Sequence, residues 1–142
     1  MIETATARLV EYFQTLTPES VADIDGFYAE DVYFRDPFNE VRGIVPTRHI
    51  FTDMFVRLHE PQFTVVETII NEQAAVLIWD FNFRIKRLKP ELQRRIHGLS
   101  HIRFAADGRV CYHRDYWDAA GELYEQLPVV GALMKWLKRR AG

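Results

Sequence analysis

The chain has 142 residues, enough for one domain with a sizeable core. Apolar residues make up 48%, aromatics 13%, and the formal net charge is −2, so no global basic field recommends nucleic acid as a partner. The single cysteine, Cys111, excludes an intramolecular disulfide; no apolar run reaches the roughly 18 residues of a membrane span, and no secretory pattern opens the chain, so a cytoplasmic protein is expected.

Leu9, Tyr12, Phe13 and Leu16 recur at helical spacing and predict an amphipathic helix over residues 2–16. Thr17-Pro18-Glu19 restarts a helix, with Thr17 as cap and Pro18 in the first turn, and that helix carries Val21, Ile24, Phe27 and Tyr28. "VYF" reads as a short strand stopped by Pro37, and "NEVRG" as a loop. Residues 46–59 form a third helix, with Ile50, Met54, Phe55 and Leu58 on one side and Pro61 at its end. The period then changes. "QFTVVETII", "AAVLIWDFNFRIKRL", "ELQRRIHGLSHIRFA" and "RVCYHRDYW" read as strands, the last two joined by the tight turn "ADG". The ending returns to helix, interrupted near Pro128. This order predicts an α+β fold, helices packed on one face of a bent antiparallel sheet, in one domain over residues 1–142.

The stretch "YAEDVYFRDPF" carries the sharpest chemical question. Asp36 stands before Pro37, with Phe34 and Phe38 two residues away on either side. Asx-Pro commonly opens a turn. A carboxylate among apolar side chains is also a candidate proton carrier.

This stretch, with the element order, resembles the nuclear-transport-factor-2-like superfamily, which includes ketosteroid isomerase, scytalone dehydratase, limonene epoxide hydrolase and SnoaL-like cyclases. The local match is to "YADDATVEDPFG" of the isomerases. The resemblance implies a cone in which helices close over a curved sheet and leave a deep apolar pocket. It also implies a homodimer formed through the sheet, and no cofactor. Carried across by residue, the general base of the isomerase falls on Asp36 and its oxyanion-hole tyrosine on Tyr12. Its third catalytic group, a protonated aspartate, falls on Ser100, a weaker acid.

Strand alternation places Cys111, His113, Asp115 and Trp117 on one face of the last strand. The hairpin alignment turns that face inward, so the resemblance brings His113, Asp115 and Trp117 toward Asp36 and Tyr12. Two carboxylates in one apolar cavity separate into an acid and a base, which suits proton abstraction beside a carbonyl. On this expectation Asp36 takes the proton, Tyr12 holds the oxyanion, and Asp36→Asn abolishes turnover. Each residue also has a purely structural reading: Asp36 as turn, Tyr12 as core, His113 as a satisfied internal imidazole, Ser100 as a strand hydroxyl, Asp115 as the partner of an arginine. Trp79, Phe81 and Phe83 form an apolar row that lines or floors the cavity, and Phe34 joins them as a ligand contact.

His97 and His101 fall on a strand, where residues four apart sit about 13 Å apart, so no metal is expected. The C-terminal "PVVGALMKWLKRRAG" puts Val130, Leu133, Met134 and Leu137 on an apolar stripe beside Lys135, Lys138, Arg139 and Arg140. Basic residues there complement a helix dipole; contact with an anionic membrane is the less favoured alternative. Three function classes remain: an isomerase, dehydratase or cyclase acting by proton transfer on a small hydrophobic carbonyl compound, a non-catalytic binder of a small hydrophobic molecule, and a dimeric interaction module.

Overall fold

In the computed structural model the described residues are 1–122 and 130–141, the side chains of 130–135 excepted. Helix α1 spans Ile2–Gln14, and a 3-10 helix spans Ser20–Gly26. Strands β1 (Tyr28–Arg35) and β2 (Glu40–Arg42) precede helix α2 (Ile44–Arg57). Four long strands follow: β3 (Leu58–Ile70), β4 (Ala75–Ile85), β5 (Arg94–Phe104) and β6 (Val110–Trp117). Helices α3 (Ala119–Glu122) and α4 (Val130–Ala141) complete the described chain. The interruption expected near Pro128 lies outside the described residues, as do the side chains of Val130, Leu133 and Met134. In the last turn of α4, Lys138, Arg139 and Arg140 stand where cations oppose the helix dipole.

The α+β class and the curved sheet are as the sequence predicts. The strand order is β2-β1-β6-β5-β4-β3. All neighbours run antiparallel except β1 and β6, which are parallel. Alternation explains which side chains enter the core. Along β4, Ala75, Leu77, Trp79, Phe81 and Phe83 turn inward; along β5, Ile96, Gly98, Ser100 and Ile102 do. Helix α1 brings Leu9 and Phe13 to this face, α2 brings Phe51, and the 3-10 helix brings Val21 and Ile24.

Several local expectations shift. The second predicted helix shrinks to the 3-10 turn, which Thr17 and Ser20 start by reciprocal bonds: Thr17 N donates to Ser20 Oγ (2.8 Å) and Ser20 N to Thr17 Oγ1 (3.0 Å). Tyr28 therefore opens a strand instead of closing a helix, and β1 is longer than "VYF". "NEVRG" contributes the short strand β2. Pro61 does not end a helix, because α2 stops at Arg57 and Leu58 is already extended. Pro61 sits in β3 where the register slips between His59 and Gln62, at a sheet edge that tolerates a missing donor.

Gly98 is a close-approach glycine. It lies in register with Trp79 on one side and Trp117 on the other. A Cβ there would stand 2.7 Å from Trp79 Cη2, 2.8 Å from Tyr116 O and 2.9 Å from Trp117 Cβ. Backbone cannot yield as a flexible side chain can. Gly98→Ala is expected to destabilise by about 1–3 kcal/mol, seen as a lower calorimetric midpoint; an unchanged midpoint would show that the sheet absorbs the methyl.

Candidate functional site

Four strands converge on one polar cluster within the aromatic core. Register places Ser100 on β5 opposite Leu77 on β4 and opposite Asp115 on β6, while His113 on β6 faces Phe34 on β1. Trp79 Nε1 donates to Ser100 Oγ at 2.9 Å, and Ser100 Oγ donates to Asp115 Oδ1 at 2.5 Å. His113 Nε2 also meets Asp115 Oδ1, at 2.6 Å, and His113 Nδ1 meets the Tyr28 hydroxyl at 2.6 Å.

The donor inventory assigns the protons. The Tyr28 hydroxyl has one proton and one described partner, His113 Nδ1. Nδ1 is therefore the acceptor, Nε2 carries the proton, and Asp115 accepts from both His113 and Ser100 as a carboxylate. Every polar hydrogen then has an acceptor, with His113 neutral. A proton on Asp115 Oδ1, given to His113 Nε2, would instead leave the Tyr28 proton stranded. Burial, the Asp115 charge and Tyr12 hold the Tyr28 hydroxyl well above its ordinary pKa, so it remains a donor.

Aromatic rings enclose His113. Its ring centroid lies 4.8 Å from Phe34, 5.8 Å from Phe13, 5.8 Å from Tyr28 and 6.5 Å from Phe51. The hollow bounded by Phe13, Phe51, Phe63, Trp79, Ser100, His113 and Asp115 has a volume of only about 10 Å³. One water needs roughly that much. The inner end of the expected pocket, beside His113, is thus closed by phenylalanines, while a groove of about 670 Å³ remains between α2 and the inward face of the sheet, lined by Ile50, Met54, Phe81, Phe83, Ile96 and Trp117.

Asp115 connects this hollow to the outside. Its side chain is 17% exposed, whereas that of His113 is 3% exposed. Asp115 also lines an open cleft of about 460 Å³ with Arg35, Asp36, Pro37, Arg114, Tyr116 and Trp117. Its Oδ1 holds both hydrogen bonds, and among the described residues Oδ2 has no partner. One oxygen is thus fixed by the core while the other remains available.

The structure does not bring Tyr12 and Asp36 into this network. Tyr12 Oη donates to Ser20 O at 2.8 Å, and its ring stacks on Phe27 at 4.1 Å. It ties α1 to the 3-10 helix, and burial with nearby Asp23 and Asp25 pushes its hydroxyl up to about 12. Asp36 organises the turn after β1: Oδ1 accepts from Phe38 N (2.8 Å) and Asn39 N (2.7 Å), with Asn39 Nδ2 at 3.1 Å. That turn presents Phe38 to Trp117, ring centroids 5.5 Å apart. Asp36→Ala is expected to lower stability by about 1 kcal/mol, as loss of a side-chain cap does. Asp36→Asn keeps an acceptor oxygen and should leave the thermal midpoint unchanged; equal losses in the two variants would show that the charge, and not the turn, matters.

Trp79, Phe81 and Phe34 are buried as core, and Trp79 adds its indole donor. His97 and His101 face the other side of the sheet: His97 Nδ1 meets Asp80 Oδ1 at 2.7 Å, and His101 packs on Tyr112. Among the described residues no group of three metal-ligating side chains forms, and no helix is long and apolar enough to cross a membrane. Tyr28 is the member of the network that sequence reasoning missed. Its signal was the inward alternation of Val32 and Phe34, interrupted before Tyr28 by an irregularity in the β1–β6 register.

Comparisons with known proteins follow the fold. Residues 9–113 match the model of the SnoaL-like domain family. A hypothetical protein with a ketosteroid isomerase-like fold from Catenulispora acidiphila, solved with trimethylamine, superposes with TM-score 0.70 at 10% identity over 84% of this chain and 88% of that one. An LEH-like epoxide hydrolase from M. tuberculosis gives 0.66 at 18% identity, over 84% of each chain. A nuclear-transport-factor-2-like protein of unknown function from an Exiguobacterium species gives 0.68 at 14% identity, over 80% of this chain and 98% of that one. Among curated proteins none matches. At these identities the structural likeness shows the fold alone.

Proposed function

The chain belongs to the SnoaL-like domain family, and within it we propose a cofactor-independent isomerase, lyase or cyclase that moves a proton on a small hydrophobic carbonyl compound, with Asp115 as the base. The observation that carries this is the divided carboxylate. Oδ1 accepts from His113 and Ser100, Oδ2 has no described partner, and Asp115 lines the cleft. The two donors fix the carboxyl group in place, and the aromatic wall excludes water from one side of it.

The chemistry stays within one proton. Oδ2 takes a proton from the carbon beside the carbonyl, leaving an enolate and a neutral carboxylic acid. Returning that proton to another carbon isomerises the substrate. Returning it to a departing hydroxyl dehydrates it. Attack of the enolate on a second carbonyl closes a ring, and the proton then goes to the new alkoxide. His113 and Ser100 stay on Oδ1 throughout and hold the carboxyl group in place. The substrate occupies the outer cleft, because the inner hollow admits about one water.

The test uses 2-acetylcyclohexanone in deuterated buffer, with deuterium entry at the carbon between the carbonyls followed by proton NMR. The wild-type chain should accelerate entry above buffer, and Asp115→Asn should remove the acceleration. Equal rates for wild type, variant and buffer would leave the proposal without support for turnover.

A further inference from the structure

The charge of the chain is unevenly placed. Four of its 18 basic residues, Lys135, Lys138, Arg139 and Arg140, fall within the 12-residue helix α4, and none of its 20 acidic residues does. The rest of the chain is therefore more acidic than the net charge of −2 suggests, and a basic helix is joined to an acidic body. Opposition to the helix dipole accounts for cations in the last turn. It accounts neither for Lys135, which stands before that turn, nor for the apolar residues between the charges.

The same helix carries an apolar stripe. Val130, Leu133, Met134 and Leu137 recur in its sequence at the three- and four-residue spacing of one helix face, and the same period places Lys138 and Arg140 on the two flanks of that face. Packing against the body would cover the stripe. Leu137 is instead 44% exposed, its neighbour Trp136 is 47% exposed, and residues 138–141 are exposed as well. The Arg140 guanidinium lies 5.4 Å from the Trp136 ring centroid, so an indole and a cation leave the helix side by side. Apolar side chains held in water within a rim of cations mark an interaction surface.

We propose that α4 docks on the surface of an anionic lipid bilayer, with Trp136 and Leu137 entering the acyl boundary and the basic residues lying among the lipid headgroups. Charge selects the surface: the helix is attracted and the acidic body is repelled, so α4 makes the contact. The apolar residues select a bilayer over other polyanions. A nucleic acid or an acidic peptide would neutralise the cations and leave Leu137 in water, whereas a bilayer takes up both. Length sets the orientation. A 12-residue helix rises about 18 Å, short of the roughly 30 Å hydrocarbon core, so it lies in the interface plane and does not span. The long stems of Lys138 and Arg140 reach from the flanks of the stripe to the headgroups. The docking is independent of the Asp115 chemistry.

Flotation of the full chain with two sets of vesicles tests the proposal, one of phosphatidylcholine alone and one that also contains phosphatidylserine. The chain should bind the mixed vesicles roughly tenfold or more tightly than the neutral ones, as several cations near an anionic surface do, and this preference should shrink as salt is raised. Lys138→Glu, Arg139→Glu and Arg140→Glu together should remove the preference. Trp136→Ser with Leu137→Ser, which leaves the charge unchanged, should weaken binding to the mixed vesicles roughly tenfold or more. Each variant's fold is checked by its thermal midpoint. No flotation with either set, equal flotation with both, or flotation unmoved by the triple substitution would overturn the inference. Binding that the triple substitution abolishes and the Trp136–Leu137 pair does not affect would overturn it too, and would assign the helix to a soluble polyanion.

Discussion

Asp115→Asn is expected to lower the rate of deuterium entry into 2-acetylcyclohexanone by roughly 10²–10⁴-fold, the contribution of a positioned general base. The substitution is close to isosteric, so packing against Ser100 and His113 survives. An amide oxygen can still accept from Ser100 and His113, and the network need not collapse. What disappears is the basic carboxylate oxygen that Ser100 and His113 leave free. A variant that folds with an unchanged midpoint but has lost its exchange activity would therefore separate chemistry from stability. A fall in both together would point to Asp115 as mainly structural. Asp115→Glu should recover part of the rate if the carboxylate is the working group, although its extra methylene misplaces the oxygen.

Tyr28→Phe should have the second largest effect, and on two readouts. Removal of the hydroxyl leaves His113 Nδ1 as a buried acceptor without its partner. An unsatisfied buried group costs about 1–3 kcal/mol, so the calorimetric midpoint should fall. The ring also loses the contact that fixes its tautomer. In the wild type, nitrogen-15 NMR should show protonated Nε2 and unprotonated Nδ1; in the variant that preference should weaken, and the exchange rate should fall roughly tenfold or more, as when a tautomer-fixing partner is removed. A merely structural tyrosine would move the midpoint and leave the tautomer and the rate per folded molecule unchanged.

The part of the site legible in the sequence is the part governed by alternation. Ser100, His113 and Asp115 stand on long strands where a period of two decides the face, and all three meet. Trp79, Phe81 and Phe83 follow the same rule on β4. The misplaced residues come from segments where a local bond competes with the longer-range arrangement. Asp36 lies on the matched motif, yet its carboxylate is captured by amides two and three residues onward. Tyr12 is on the apolar face of its helix as expected, but its hydroxyl finds Ser20 O before it can reach the cone. Neither outcome follows from residue spacing, because both depend on how the chain turns after the matched segment. Tyr28 was hidden for a related reason: helix-like spacing through Ile24 and Phe27 runs on into the strand, past Gly26, where the 3-10 helix ends. The filled hollow was the least legible feature of all. Composition announces many aromatics; only packing shows that Phe13, Phe51 and Phe63 fill the space beside His113 and leave the groove under α2 open.

The competition between two carboxylates is the central question, and one side-by-side measurement decides it: deuterium entry into 2-acetylcyclohexanone catalysed by wild type, Asp115→Asn and Asp36→Asn, with each variant's fold confirmed by its thermal midpoint. The account predicts that Asp36→Asn exchanges at a rate close to wild type and that Asp115→Asn exchanges at the rate of buffer. An inactive Asp36→Asn beside an active Asp115→Asn would contradict it and return the base to the turn after β1.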